Sequence, residues 1–341
     1  MKKKVYIIYT GGTIGMKATE DGYAPTKGFL REQMAAMPEL KHDDMPEYFI
    51  HEYEPLLDSS NMTADNWTTI AMDIYNNYHE YDGFVVLHGT DTMAYTASAL
   101  SFMLEGLGKP VIITGSQIPL CEVRSDGKAN LITAMIIAAD YKLPEVCLYF
   151  GDKLLRGCRS IKSSADRLHA FTSPNFPPLA TVGIDIKINW NLVLPLPNTD
   201  FRVQRLRQHN IGCLRLFPGI SPAFVENVLK TPLEGLILET YGVGNGPDKD
   251  EKLMEVIKNS VDRGVVIVAC TQCVHGTVNL KEYAAGMALA KAGVVSGYDM
   301  TIESALTKML YLFSKGFSTD EIKKRMQISL RGELTPLSHY E

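Results

Sequence analysis

This chain of 341 residues has few cysteines, no block of basic residues and no long apolar run. Its six cysteines are scattered, which suits reduced thiols and excludes the disulfide framework of a small secreted domain. Lys and Arg total 34 against 39 Asp and Glu, a net charge of −5. Without clustered cations, nucleic acid is a poor partner. No stretch approaches the roughly 20 apolar residues of a membrane span, so no membrane partner is expected. The opening MKKK resembles the charged start of a secretory signal, but the apolar run after it (5–9) is too short and no small-residue cleavage site follows. The expectation is a soluble, cytoplasmic protein. Neither internal repeats nor low-complexity tracts are evident.

What is present is a large apolar complement, 45% of residues, enough for one large or two ordinary domains. Short apolar runs alternate with segments of helical period. Strands are expected at 5–9, 83–88, 111–114 and 145–150, then at 211–217, 235–239, 264–270 and 293–296. Several are apolar throughout, as strands covered on both faces should be. Helices are expected at 63–79 with Thr63 as N-cap, and at 92–105 before Gly106 and Gly108. Others are expected at 222–230 behind Ser221-Pro222, and at 318–326, where Ser318 and Glu321 form a capping box. This rhythm predicts an α/β protein of two doubly wound domains with largely parallel sheets. The larger spans 1–190, a proline-bearing linker covers 191–210, and the smaller spans 211–341. Segment 15–31, glycine-rich and without an apolar stripe, reads equally well as a mobile lid or as an ordinary solvated connection.

In parallel sheets, ligands bind where strand C-termini feed their loops. Those loops are TGGT (10–13), HGTDT (88–92), TGSQ (114–117), YGVGNG (241–246) and CTQC (270–273). The dinucleotide spacing G-x-G-x-x-G fails in both GGTIG and GVGNG, and no G-K-[ST] of a P-loop occurs. His88 lacks the neighbours of a zinc site and reads as a structural residue. Nucleophilic chemistry fits better. Thr13 and Thr90 each follow glycine at a strand end, Asp91 offers a counter-charge, and Lys162 follows another apolar run. A threonine hydroxyl needs a base to attack, and glycine-turn N–H groups can stabilise the resulting oxyanion. Taken singly, each threonine is a strand-end cap, Asp91 a turn former and Lys162 a surface charge. It is their joint occurrence at strand ends that points to a site.

The segments YTGGTIG and GFVVLHGTDTMAYTASALSFML resemble the two signatures of the bacterial-type L-asparaginase family. GKPVIITGSQIP, RSDG, YGVGNGP and LRGELTP extend the likeness along most of the chain, and it is closest to the cytoplasmic type I enzymes. The resemblance implies hydrolysis of L-asparagine to L-aspartate and ammonia, with no cofactor and no metal. It makes Thr13 the nucleophile of an acyl-enzyme. Lys162 is implied as base or proton relay through Thr90, and Asp91 as the grip on the substrate ammonium. Tyr23 matches a lid tyrosine, and Ser59 with Ser60 matches the ligands of the substrate carboxylate. Ser116 falls where the scissile amide meets the backbone, and Asn245 matches a residue reaching in from a neighbouring subunit. A homo-oligomer, a dimer of dimers, is implied.

Two departures accompany the likeness. Some type I enzymes carry a regulatory asparagine site in this domain, and Thr271, Gln272 and Cys273 match part of it. The arginine expected there is Glu239, and the hydroxyl residue expected before the lysine is Ile161. Charge reversal at 239 opposes an effector carboxylate, so weak or altered activation is expected. The C-x-x-C spacing at 270–273 lacks a thioredoxin-like context and reads as structural thiols. Rival readings are an amidase with substantial glutaminase activity, since one methylene gives only about 1–3 kcal/mol of discrimination, and a non-catalytic amino-acid sensor of the same fold.

Overall fold

The computed structural model describes residues 2–20 and 22–335. The chain divides into two compact units, Met1–Gln204 and Arg205–Glu341.

The first unit is built on one eight-stranded sheet. Its strands in chain order are β1 (Lys4–Gly11), β4 (Glu47–Leu57), β5 (Gly83–Leu87), β7 (Val111–Thr114), β8 (Val146–Phe150), β9 (Lys153–Arg156), β12 (Ala180–Val182) and β13 (Ile186–Ile188). The spatial order is β13-β12-β9-β8-β7-β5-β1-β4. From β4 to β8 the neighbours are parallel, whereas β8–β9, β9–β12 and β12–β13 are antiparallel. Every residue of β5, β7 and β8 is buried, which is why these strands carry no polar alternation. The edge strand β4 (EYFIHEYEPLL) buries only Ile50 outright. It therefore has no apolar run to mark it as a strand in the sequence.

Small hairpin pairs complete this unit: β2 (Met16–Thr19) with β3 (Gly22–Pro25), β10 (Ile161–Lys162) with β11 (Phe171–Thr172), and β6 (Leu104–Glu105) with β14 (Arg202–Val203). Its helices are α1 (Phe29–Ala36), α2 (Ala64–Asn77), α3 (Met93–Met103) and α4 (Gly127–Asp140). Thr63 caps α2 as expected, with Asn66 returning the bond to complete a capping box. The helix expected through 105 stops at Met103, because Leu104 and Glu105 turn to pair with Val203 and Arg202. Residues 191–204 thus belong to the first unit. They are held further by a buried ion pair, in which Arg156 Nε donates to Glu145 over 2.6 Å, Arg156 also donates to Leu192 O, and Glu145 accepts the Leu194 N–H.

The second unit is smaller. Four parallel strands, β15 (Ile211–Arg215), β16 (Gly235–Thr240), β17 (Val266–Thr271) and β18 (Val295–Ser296), lie in chain order. They pack with α5 (Pro222–Val228), α6 (Glu251–Asp262), α7 (Ala284–Lys291), α8 (Ile302–Ser314) and α9 (Thr319–Met326). Ser221 and Ser318 accept the N–H groups of Phe224 and Glu321 as N-caps. Lys308 and Glu333, both wholly buried, pair at 2.6 Å and fasten the segment after α9. Pro336, the last residue of LRGELTP, lies outside the described residues. The two-unit α/β architecture is the one the alternation of apolar runs predicts. No described helix is long and apolar enough to cross a membrane.

Candidate active site

The C-terminal ends of β1 and β5 lie side by side, and Thr10 Oγ1 fastens them by donating to Leu87 O over 3.0 Å. Beyond that bond β1 enters Gly11-Gly12 and a single 3-10 turn, Thr13–Gly15. Gly12 has φ +91°, and a Cβ there would sit 2.4 Å from the Gly89 Cα and N atoms. Only glycine combines that dihedral with that approach. The two backbones therefore touch, and Thr13 and Thr90 leave from the point of contact. Ser59 is the third member. A Cβ on Gly89 would meet its Oγ at 2.5 Å, and Thr92 Oγ1 donates to Ser59 O over 2.7 Å.

Lys162 reaches this place from β10, where it pairs with Phe171. Its Nζ donates to Thr90 Oγ1 over 2.9 Å and to Asp91 Oδ1 over 2.6 Å. Thr90 is buried, the Lys162 side chain is 19% exposed, and that of Asp91 is 68% exposed. The ion pair thus straddles the boundary between the packed floor and solvent. Thr90 in turn donates to Gln117 Oε1 over 3.1 Å. Gln117 stands in the TGSQ loop beside Ser116, the residue of that loop expected at the site. A polar residue after a buried strand was the available signal.

Behind these turns lies His88, fully buried. Its Nδ1 donates to Gly89 O over 2.6 Å, and its Nε2 accepts from Thr96 Oγ1 over 2.9 Å. Thr96 accepts from Trp67 Nε1. Burial pushes the His88 imidazole down to about 4, against the opposing pull of the bond to Gly89. It is a neutral structural residue, as its isolation in the sequence suggested. Among the described residues, no group of three or more His, Cys, Asp or Glu side chains is placed to hold a metal ion.

The remaining residues sit as follows. Tyr23 is on β3, opposite Ala18 in the hairpin that follows the Thr13 turn. Its side chain is exposed, and its hydroxyl donates to Glu122 Oε1 over 2.6 Å. That bond pushes the phenol up from its ordinary value, because a carboxylate acceptor favours the protonated form. No pattern in the sequence pointed to Glu122. Ser60 is exposed, its N–H held by Asp58. Ser116 is buried, and its hydroxyl finds no hydrogen-bond partner among the described residues. Thr13, Ser59, Thr90, Asp91 and Lys162 thus gather at adjoining strand ends of the first unit.

Asn245 and the 270–273 residues belong to the second unit. Asn245 closes a turn by exchanging backbone bonds with Tyr241, and its buried Oδ1 has no partner among the described residues. Thr271 Oγ1 donates to Gly242 O and accepts from Cys273 N. Gln272 Nε2 donates to Leu216 O and Glu239 O, while the Glu239 carboxylate meets Arg215 at 3.6 Å. Cys270 is buried and Cys273 exposed, and both are free thiols.

Residues 4–194 match the family "Asparaginase, N-terminal", and residues 210–326 match "Glutaminase/Asparaginase C-terminal domain". The chain is 52% identical to L-asparaginase 1 of Escherichia coli K12, over 98% of this chain and 99% of that protein. It is 44% identical to a human protein called 60 kDa lysophospholipase, over 99% of this chain and 62% of that one. Among solved structures, L-asparaginase I from Vibrio cholerae superposes with a TM-score of 0.92 at 52% identity, covering 98% of this chain and all of that one. With both halves matched, and in the order that the signature segments led one to expect, the chain belongs to the asparaginase family.

Proposed function

We infer that Thr13 is the nucleophile of an L-asparagine amidohydrolase. The protein hydrolyses L-asparagine to L-aspartate and ammonia. In the proposed route Thr13 Oγ1 attacks the carboxamide carbon and its proton passes to the departing nitrogen, which leaves as ammonia. Water then cleaves the threonine ester, releasing aspartate and restoring the hydroxyl. The observation that carries this reading is the Lys162–Thr90–Asp91 group, placed beside the glycine contact from which Thr13 projects.

The site suits a small zwitterion. Asp91 supplies a partly exposed carboxylate for the substrate ammonium, and Ser59 and Ser60 supply donors for its carboxylate. Backbone N–H groups of the glycine turns face the developing oxyanion. Lys162 serves as base or proton relay through Thr90, and Ser116 positions the scissile amide. Tyr23 approaches when the β2–β3 hairpin closes. We further propose a cytoplasmic homotetramer, a dimer of dimers in which Asn245 serves a neighbouring subunit's site. The segment around Glu239, Thr271, Gln272 and Cys273 is proposed as a weakened effector site, because Thr271 and Gln272 spend their side chains on backbone carbonyls and Glu239 opposes a carboxylate.

The test is ammonia release on L-asparagine and on L-glutamine by wild type and Thr13→Ala. Removing the attacking atom is expected to lower kcat by about three orders of magnitude or more while circular dichroism stays unchanged. A near-normal rate in Thr13→Ala would move the nucleophile to Thr90. Binding without any ammonia release by wild type would favour the sensor reading, and comparable kcat/KM on both amides would favour the glutaminase reading.

A further inference from the structure

We propose that Gln117 is a positioning residue that sets the direction of the hydrogen bonds through Thr90, leaving Thr90 an acceptor toward both Lys162 and the substrate. It rests on the reading of Thr90 and Lys162 as site residues given above. Of the two roles given there for Lys162, it favours the direct base over the relay through Thr90.

The side-chain amide of Gln117 can sit in only one way. Its Nε2 donates to Ala165 O over 3.1 Å and to Arg167 O over 3.2 Å. Reversed, its oxygen would face two carbonyl oxygens with no hydrogen between them. Oε1 is therefore the end presented to Thr90. An amide oxygen only accepts, so the Thr90 hydroxyl must donate to it, over 3.1 Å. A hydroxyl has one hydrogen and two lone pairs. With the hydrogen committed to Gln117, Thr90 can only accept from Lys162 Nζ at 2.9 Å. One lone pair remains, open to an N–H donor.

The backbone of Gln117 is held as firmly. Its N–H and that of Ile118 both donate to the Asp126 carboxylate at 3.0–3.1 Å. Ser125 Oγ closes the same loop onto Ile118 O. The two tethers at 165 and 167 lie just past Lys162 in the chain, and they fix which end of the amide faces Thr90. Two consequences follow. Thr90 cannot pass its proton to Lys162 without first leaving Gln117, which disfavours it as the attacking group and leaves attack to Thr13. Thr90 also meets a carboxamide or ammonium N–H favourably and a product carboxylate unfavourably, since it offers an oxygen lone pair and no hydrogen.

The test is a double-mutant cycle in ammonia release, using wild type, Gln117→Met, Thr90→Val and the double variant, with melting curves for each. Gln117→Met is expected to lower kcat about 10–100-fold and to change KM by less than about threefold. The double variant is expected to match Thr90→Val alone within about twofold, because without the hydroxyl there is nothing left to orient. Losses that multiply in the double variant, or an unchanged kcat in Gln117→Met, overturn the proposal. Should Gln117→Met melt early, kcat is read per folded molecule at a temperature below its transition, where an unchanged value still overturns the proposal. If Thr90→Val itself turns over normally, the reading of Thr90 falls. If Thr90→Val is inactive and Gln117→Met is normal, only the present inference falls.

Discussion

The Tyr23 hydroxyl donates to Glu122 Oε1 over 2.6 Å, joining the tip of the β2–β3 hairpin to the loop that follows Gln117. That loop is itself docked against the Thr13 turn, Leu120 N donating to Ile14 O over 3.1 Å. The hairpin is thus tethered at its tip by one exposed bond, and by the Lys27–Glu54 ion pair and the Gly28 N–Glu52 bond at its base.

An exposed tether of this kind should tune closure and leave the chemistry alone. Glu122→Ala is expected to change KM for asparagine a few-fold, with kcat within about threefold and no measurable change in melting. Tyr23→Phe keeps the ring but removes the phenolic hydrogen, and kcat is expected to fall about 10–100-fold. Steady-state kinetics separate the two variants. If Glu122→Ala loses kcat as heavily as Tyr23→Phe, Glu122 belongs to the chemistry and the tether reading is wrong.

The fully buried His88 gives the first unit an acid-sensitive floor. Folded, its pKa is about 4, against 6.5 for the free side chain. Between those values the unfolded chain binds the extra proton and the folded chain does not, so stability is complete above about pH 6.5 and declines as pH falls toward 4. At about 1.4 kcal/mol per unit, the whole window is worth about 3 kcal/mol. Urea denaturation across that range should show the decline. His88→Gln cannot titrate and should flatten it, whatever its effect at neutral pH. An equal slope in both proteins would remove His88 as the cause.

In the second unit, Thr271 spends its hydroxyl on Gly242 O over 2.6 Å. Thr271→Ala is therefore expected to lower the melting temperature while leaving the curve of rate against asparagine concentration unchanged in shape and near hyperbolic. Strongly sigmoidal kinetics that Thr271→Ala abolishes would overturn the weakened-effector reading and restore a working second site.

Sequence alone determined the alternation of buried strands and helices. A strand covered on both faces must be apolar at every position, and β5, β7 and β8 show it without any knowledge of their neighbours. It likewise determined the caps at Thr63, Ser221 and Ser318, which are local bonds between residues three apart. It marked Thr13, Thr90 and Asp91, because glycine, hydroxyl and carboxylate after an apolar run are themselves local signals. Edge strand β4 escaped, since half-exposed pairing leaves no apolar signature, and so did the early end of α3, decided by pairing with residues 202–203. Tertiary structure alone decided the partners. That the Gly12 backbone touches Gly89, that Lys162 crosses to Thr90, and that Gln117 faces Thr90 rather than solvent all depend on chain segments 27 to 77 residues apart meeting in one place. No short-range pattern encodes such meetings; they follow from how the sheet orders its strands.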